Sequence, residues 1–437
     1  MKIAFVCQPL DDVIPPFQNS LAIWTCEVAH RISQACEVIL YAKSRLRRKS
    51  KQEQGVSYQF IPVCLDQLWL ELLERLPIFK NPRSPLLASR VYYPGYALQI
   101  ALSLRKQRCD VIHIHNFSQF VPIIRAFNPT SKIVLHMHGE WLTQLDQRLL
   151  EKRLCHVDLI VGCSDFITQQ AREQFPQFAN RCQTLVNGVD IQRFIAASTP
   201  QNPEQQSPDR QIQKLLFVGR VSPEKGVHTL LEAFQIVAAS NPKVYLKVVG
   251  YIGALPYNFG IALSNDPKVL DLGVFYPDRW NAYLAHWQQV SRFADRVEFT
   301  GNIRHSELPD HYREADLLVF PSIWPEPFGM PLVEAMAAGL PVIATRGGAF
   351  PEIVEEGKTG LLVERGDAKA LATAILNLLA DTDLRRSMGA AGRQRAIARF
   401  SWQPIVETLL SHYKQLCNPS TVSTGQSHDY VAGTFTV

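Results

Sequence analysis

The sequence predicts two doubly wound α/β domains facing each other across a cleft, and three observations predict them. Short apolar runs alternate with helical patterns over residues 1–196; a polar stretch with three prolines breaks the alternation at 197–213; the alternation then restarts and continues to residue 400. A chain of 437 residues, 46% hydrophobic and 19% charged, exceeds one ordinary core and suits two. That composition argues against a disordered or fibrous chain.

The first apolar run, KIAFVC at residues 2–7, is followed by a Pro-rich loop and the helical pattern LAIWTCEVAHRIS. Strands are expected at Val38–Tyr41, Val111–His115, Ile133–His136 and Leu159–Val161, with Ser164 capping a helix that opens near Asp165. Beyond the linker, strands are expected at Leu215–Val218, Tyr245–Val249, Val297–Thr300, Leu317–Phe320 and Val342–Ala344. Helices are expected at Val227–Ala239 and Pro331–Ala338. A long excursion rich in Tyr, Trp and Pro separates Gly250 from Val297 and is a candidate for shaping a base or acceptor pocket. A C-terminal helix at 401–417 precedes a Ser/Thr/Gly-rich tail, 418–437, expected to be disordered. Short strands between helices imply parallel sheets covered on both faces, with ligand crevices at the strands' carboxyl ends.

The net charge of +5 is small for this length, and no nucleic-acid partner is expected. The segment KSRLRRKSK at 43–51 is a local basic run, read as a solvated loop or as a contact for phosphates or an anionic membrane. Downstream, LDQLWLELLERLPIFK at 65–80 has one apolar face, for which burial in the core is the favoured reading and a membrane surface the other. Nine cysteines without a CxxC pair read as reduced, buried thiols of a cytoplasmic protein. The opening run is too short for a signal peptide, and no stretch approaches the ~18 apolar residues that span a bilayer.

Two segments carry chemistry. In FVGRVSPEKG a buried strand ends at Gly219, and a loop bearing Arg220 and Lys225 leads into a helix. Glycine permits close backbone approach, and two cations before a helix N-terminus suit a diphosphate, although a βα turn with solvated side chains has the same spacing. In PSIWPEPFGMPLVEAMAAG, Glu326 precedes a short helix and Glu334 is placed in its first turn, so that both carboxylates can meet ligand hydroxyls. The amides of Phe328, Gly329 and Met330 are candidates for phosphate or sugar oxygens. The plainer readings are a solvated Glu326 and a Glu334 that offsets the helix dipole.

From Leu215 to about Asp367 the chain closely resembles the family 4 (group 1) glycosyltransferases, retaining enzymes of the GT-B architecture. The resemblance rests on Gly219-Arg-x4-Lys225-Gly, on Glu326-x7-Glu334 within EPFGMPLVEAMAAGLPVIAT, and on GGAFPEIVEEGKTGLLV. Looser agreement in DVIHIHN, HMHGEW and VNGVD extends it over the first domain. It implies that Arg220 and Lys225 hold a donor diphosphate, Glu326 the donor sugar and Glu334 the nucleotide ribose, and that His138 faces the donor sugar. It further implies a UDP- or GDP-sugar co-substrate, no other cofactor, no metal, and a hydroxyl acceptor such as a polysaccharide, a lipid-linked glycan or a small metabolite.

Members of that family often carry Gly-Gly after the first strand, where this chain has QPLDDVIPPFQNS at 8–20. Histidines 113, 115, 136 and 138 share strand faces, but no carboxylate or cysteine completes a ligand set, and hydrogen-bonding groups along a crevice are the expected role. Two other functions stay open: a glycoside phosphorylase or sucrose-type synthase on the same architecture, and a catalytically weak sugar-binding envelope or coat protein. A nicotinamide oxidoreductase is disfavoured because no strand leads into GxGxxG.

Overall fold

In the computed structural model, which describes residues 1–14, 19–44, 50–75, 81, 83–197 and 212–418, the strands assemble into two sheets. The first contains β1 (Lys2–Val6), β2 (Glu37–Ser44), β3 (Lys51–Glu53), β4 (Val56–Pro62), β5 (Val111–His115), β6 (Lys132–Met137), β7 (Leu159–Gly162) and β8 (Cys182–Thr184). Their order is β3-β4-β2-β1-β5-β6-β7-β8, parallel except for the short β3. The second contains β9 (Gln213–Val218), β10 (Val244–Val249), β11 (Val297–Gly301), β12 (Leu317–Phe320), β13 (Val342–Thr345) and β14 (Gly360–Val363). Its order is β11-β10-β9-β12-β13-β14, parallel throughout.

Both sheets reverse winding direction next to their first strand, at β1/β5 and at β9/β12, and such switch points open crevices beyond the strand ends. The strands there are apolar on both faces because helices cover both: Ile3, Ala4 and Phe5 of β1, and Leu215 and Phe217 of β9, are fully buried.

Two helices exchange sides. Ile191–Ala197 packs on the second unit, against the helices Leu308–Glu314 and Met330–Ala338. Trp402–Cys417 returns to the first sheet, where Trp402, Ile405, Leu409 and Tyr413 are buried with Phe5, Trp24 and Val28. A bridge between Val189 and Ser401 marks the crossing. The linker expected at 197–213 lies largely outside the described residues, with Ala197 closing a helix and Gln213 opening β9; the expected tail, beyond Asn418, lies outside them as well.

Burial of the apolar face at 65–80 is not what the structure shows for its described part. The helix Cys64–Leu73 turns Asp66, Leu70 and Leu73 inward and leaves Leu65 and Leu72 exposed at 78% and 61%, with Leu68 and Trp69 between them. Asp66 sets that orientation, because its carboxylate accepts hydrogen bonds from the amides of Gly95 (2.8 Å) and Tyr96 (2.8 Å) at the next helix. Burial of the cysteines is also incomplete: all nine are free thiols, but Cys64 and Cys155 are exposed. Among the described residues no helix is long and apolar enough to cross a membrane.

Candidate active site

The two switch points face each other across a cleft of about 710 Å³. Gln8, Asn116 and His138, beyond β1, β5 and β6, line one wall. The other wall holds Gly219, Arg220 and Lys225 after β9, Glu326, Phe328, Gly329 and Met330 after β12, and Glu334. Every site residue expected from the sequence therefore borders one cavity.

The cations are tethered to buried acids. Lys225 Nζ lies 2.6 Å from Glu326 Oε1, which also accepts the Ser322 hydroxyl at 2.7 Å. Glu326 is only 5% exposed, so its charge depends on these donors. Arg220 Nε lies 3.2 Å from Glu224 Oε1, and Glu224 is itself buried.

Glycines let the loops close on one another. Gly348, at φ +60°, passes so near Glu326 that a Cβ would stand 2.2 Å from its carbonyl oxygen, while the Ala349 amide donates to that oxygen at 2.8 Å. Gly226, at φ +72°, presses on the Pro321 carbonyl, where a Cβ would stand at 1.8 Å. The GGA segment thus serves to hold the backbone of Glu326.

Glu334 is not in the first helical turn as expected. The helix runs from Met330 to Ala338, which puts Glu334 one turn further in, where a helix-dipole role has little force. Both of its oxygens are engaged: His305 Nε2 lies 2.9 Å from Oε1, and the Tyr312 hydroxyl donates to Oε2 at 2.8 Å. Arg193 Nη1 meets His305 Nδ1 at 3.2 Å, and since a guanidinium only donates, Nδ1 accepts and the Nε2–H donates to Glu334.

Of the four histidines along and just beyond β5 and β6 only His138 lines the cleft; His113, His115 and His136 are fully buried. They were expected along a crevice, and instead bond to one another behind it: His113 Nε2 to His136 Nδ1 at 3.1 Å, His113 Nδ1 to the Tyr413 hydroxyl at 2.6 Å, and His115 Nδ1 to His138 Nε2 at 3.1 Å. Candidate nitrogens of His113, His115 and His136 lie within 4.8 Å of one another, but these bonds engage both ring nitrogens of His113. Burial pushes His138 down to about 3, which keeps its ring neutral.

Comparison with known proteins shows the family. Residues 22–193 match the family described as Glycosyltransferase Family 4, and residues 198–395 match Glycosyl transferases group 1. The chain is 30% identical over 341 residues to the D-inositol 3-phosphate glycosyltransferase of Corynebacterium urealyticum, covering 74% of this chain and 75% of that protein. This chain is a family 4 glycosyltransferase. The glycosyltransferase is also 29% identical over 332 residues to spore coat protein SA of Bacillus subtilis, across 73% of this chain and 82% of that one. Its GT-B fold is shared with sucrose-phosphate synthase from Thermosynechococcus elongatus (TM-score 0.71, 21% identity, 96% and 100% of the chains). It is shared too with Anabaena HepE in complex with UDP and glucose (TM-score 0.66, 19% identity, 94% and 99%).

In this glycosyltransferase the 250–297 excursion contributes only Gly250 and Tyr251 to the cleft. Two of its aromatic residues brace the Arg220–Lys225 loop from behind: Trp280 Nε1 donates to the Val221 carbonyl at 2.8 Å, and the Tyr276 hydroxyl to Glu224 at 3.4 Å. Sequence reasoning missed Gln8, Asn19 and Ser20, which line the cleft. It also missed Tyr251, His305 and Asn187. Their signal was position alone, in loops beyond the strands' carboxyl ends and at the helix starts that follow.

Proposed function

We propose that this glycosyltransferase moves a hexose-type sugar from a nucleoside diphosphate to a hydroxyl acceptor with retention at the anomeric carbon. The observation that carries the reading is the convergence of Arg220, Lys225 and Glu326 beside the N-terminus of the helix Met330–Ala338, which no side chain caps. Lys225 has three donors, of which one is directed at Glu326, so the others can meet a diphosphate while Glu326 holds it in place. Fixed cations and the amides of Gly329 and Met330 would stabilise the charge that grows on the leaving diphosphate, the kind of term that dominates much enzymatic catalysis. Ser322 and Lys225 both fall on Oε1 of Glu326, leaving Oε2 for sugar hydroxyls. Glu334, steadied by His305 and Tyr312, keeps lone pairs for ribose hydroxyls.

The donor we infer is a UDP- or GDP-sugar, used without metal, and the complexes of HepE with UDP and glucose support a nucleotide donor in this fold. The proposed setting is polysaccharide, lipid-linked glycan or glycoconjugate synthesis in the cytoplasm. A membrane-presented acceptor is supported by the exposed Leu65, Leu68, Trp69 and Leu72, spaced for one helix face. Strand register also pairs Ser44, within the basic sequence 43–51, with Pro62 just before that helix. A sucrose-type synthase would use the same donor site, and a sugar-binding coat protein has the likeness to spore coat protein SA in its favour.

The test is a hydrolysis screen of the purified protein against UDP-, GDP- and ADP-sugars. Turnover of one nucleotide class, abolished in Arg220→Ala, is the expected result. Turnover of none, with no thermal stabilisation by any nucleotide, would favour the coat-protein reading.

A further inference from the structure

Behind the cleft wall, His138 is the outer end of a buried relay. Its Nε2 lies 3.1 Å from His115 Nδ1, and His115 Nε2 lies 3.2 Å from the hydroxyl of Thr25. The Thr25 hydroxyl donates to the Leu21 carbonyl at 2.8 Å, one helical turn back. A hydroxyl has one proton, so towards His115 the Thr25 oxygen is an acceptor, and His115 carries its proton on Nε2. His115, fully buried and neutral, then presents a lone pair at Nδ1, and the proton between the two rings belongs to His138 Nε2. The ring nitrogen that His138 has left for the cleft is Nδ1, an acceptor. Asn116 holds the backbone on which this ring stands, through a 2.6 Å hydrogen bond from the His138 amide.

We propose that Thr25 is a positioning residue for sugar transfer: through His115 it fixes His138 as the Nε2–H tautomer, so that the cleft presents a lone pair to the donor sugar. This rests on the reading that His138 faces that sugar. A lone pair at that point accepts a hydroxyl and repels a carboxylate, so the relay selects a neutral hexose over a hexuronate. Removing the threonine oxygen reverses the relay. His115 Nε2–H would lose its buried acceptor, the ring would favour its Nδ1–H form, and that proton would be donated to His138 Nε2. His138 would then carry its own proton on Nδ1 and present a donor to the cleft.

The experiment uses the full-length protein labelled with ¹⁵N-histidine, with His138 assigned by the resonance lost in His138→Ala. Long-range ¹H–¹⁵N spectra read its tautomer in wild type, Thr25→Val and Thr25→Ser, and turnover of UDP-glucose and UDP-glucuronate is measured on the same samples. We expect the Nε2–H form in wild type and Thr25→Ser, and the Nδ1–H form in Thr25→Val. With it, kcat on UDP-glucose should fall about tenfold and the preference for glucose over glucuronate should shrink, both restored by serine. An unchanged tautomer in Thr25→Val would overturn the relay. A reversed tautomer with unaltered turnover and selectivity would overturn its part in transfer. Wild type inert towards every nucleotide sugar, with its tautomer as described, would instead count against the proposed function. Should Thr25→Val fail to fold, the wild-type spectrum alone decides, since an Nδ1–H His138 there contradicts the relay.

Discussion

Lys225 and Glu326 lie 101 residues apart in sequence, yet their charged atoms meet at 2.6 Å across the crevice between the loops that follow β9 and β12. The pair lies in the wall of the cleft proposed to hold the donor, and each partner steadies the other. Glu326 is nearly inaccessible to water, so Lys225 both neutralises it and brings a cation to the cleft.

Removing either partner should therefore affect chemistry and stability together. Lys225→Ala and Glu326→Ala are each expected to lower sugar transfer by about 100-fold or more. Lys225→Ala also strands a buried carboxylate, at a cost of about 3 kcal/mol in urea unfolding. The double variant should recover part of that stability and none of the activity. Near-normal turnover in both single variants would contradict the assigned roles.

Glu140, two residues beyond His138, faces the second unit. Burial raises its pKa to about 7 from 4.5, opposed by hydrogen bonds from Gln170 and Trp324 and reinforced by the charge of Glu326. A carboxyl with a raised folded pKa stabilises fully below its unfolded value, and that contribution is lost as the pH rises through the folded one. Glu140→Gln should accordingly match wild type near pH 4.5 and exceed it at pH 8 by on the order of 2 kcal/mol in denaturant unfolding. Parallel stability curves would contradict this.

Glu352 ties the two units together. Its oxygens accept the amides of Asp165 (2.8 Å) and Phe166 (2.5 Å), the first residues of the helix Asp165–Gln174 on the opposite side of the cleft. Glu352→Ala should loosen this contact, seen as a larger radius of gyration in solution scattering and a loss of about 1 kcal/mol in stability. Unchanged scattering would show that other contacts hold the cleft closed.

The exposed face of the helix Cys64–Leu73 predicts binding to anionic vesicles. Wild type should co-sediment with phosphatidylglycerol-containing vesicles and not with pure phosphatidylcholine, with a shift in Trp69 fluorescence. Replacing Leu65, Leu68 and Leu72 by glutamine should reduce the bound fraction about tenfold. Equal sedimentation of that variant would remove the membrane from the account, and concentration-dependent self-association of wild type alone would assign the face to a second copy.

Much of this was legible in the chain because parallel strands buried on both faces read as short apolar runs, as in Ile3–Val6 and Leu215–Val218. The residues proposed for the donor site were legible because glycines and prolines punctuate their loops. β4 was overlooked although Val56, Tyr58 and Phe60 alternate inward, and β8 is only three residues long. What could not be read depends on partners distant in sequence. Asp66 orients the helix Cys64–Leu73 through amides about 30 residues away, Tyr413 reaches His113 across 300 residues, and Trp280 supports a loop 59 residues before it. Local pattern places Glu334 near a helix start, but only the folded chain brings His305 and Tyr312 to its two oxygens.

Whether Arg220, Lys225 and Glu326 form a nucleotide-sugar site is decided by calorimetric titration of UDP and GDP into wild type and Arg220→Ala. Saturable binding of one nucleotide to wild type, weakened at least tenfold in an Arg220→Ala variant that still unfolds cooperatively, is the predicted result. Equal affinity in the two proteins, or no binding to either, would contradict it.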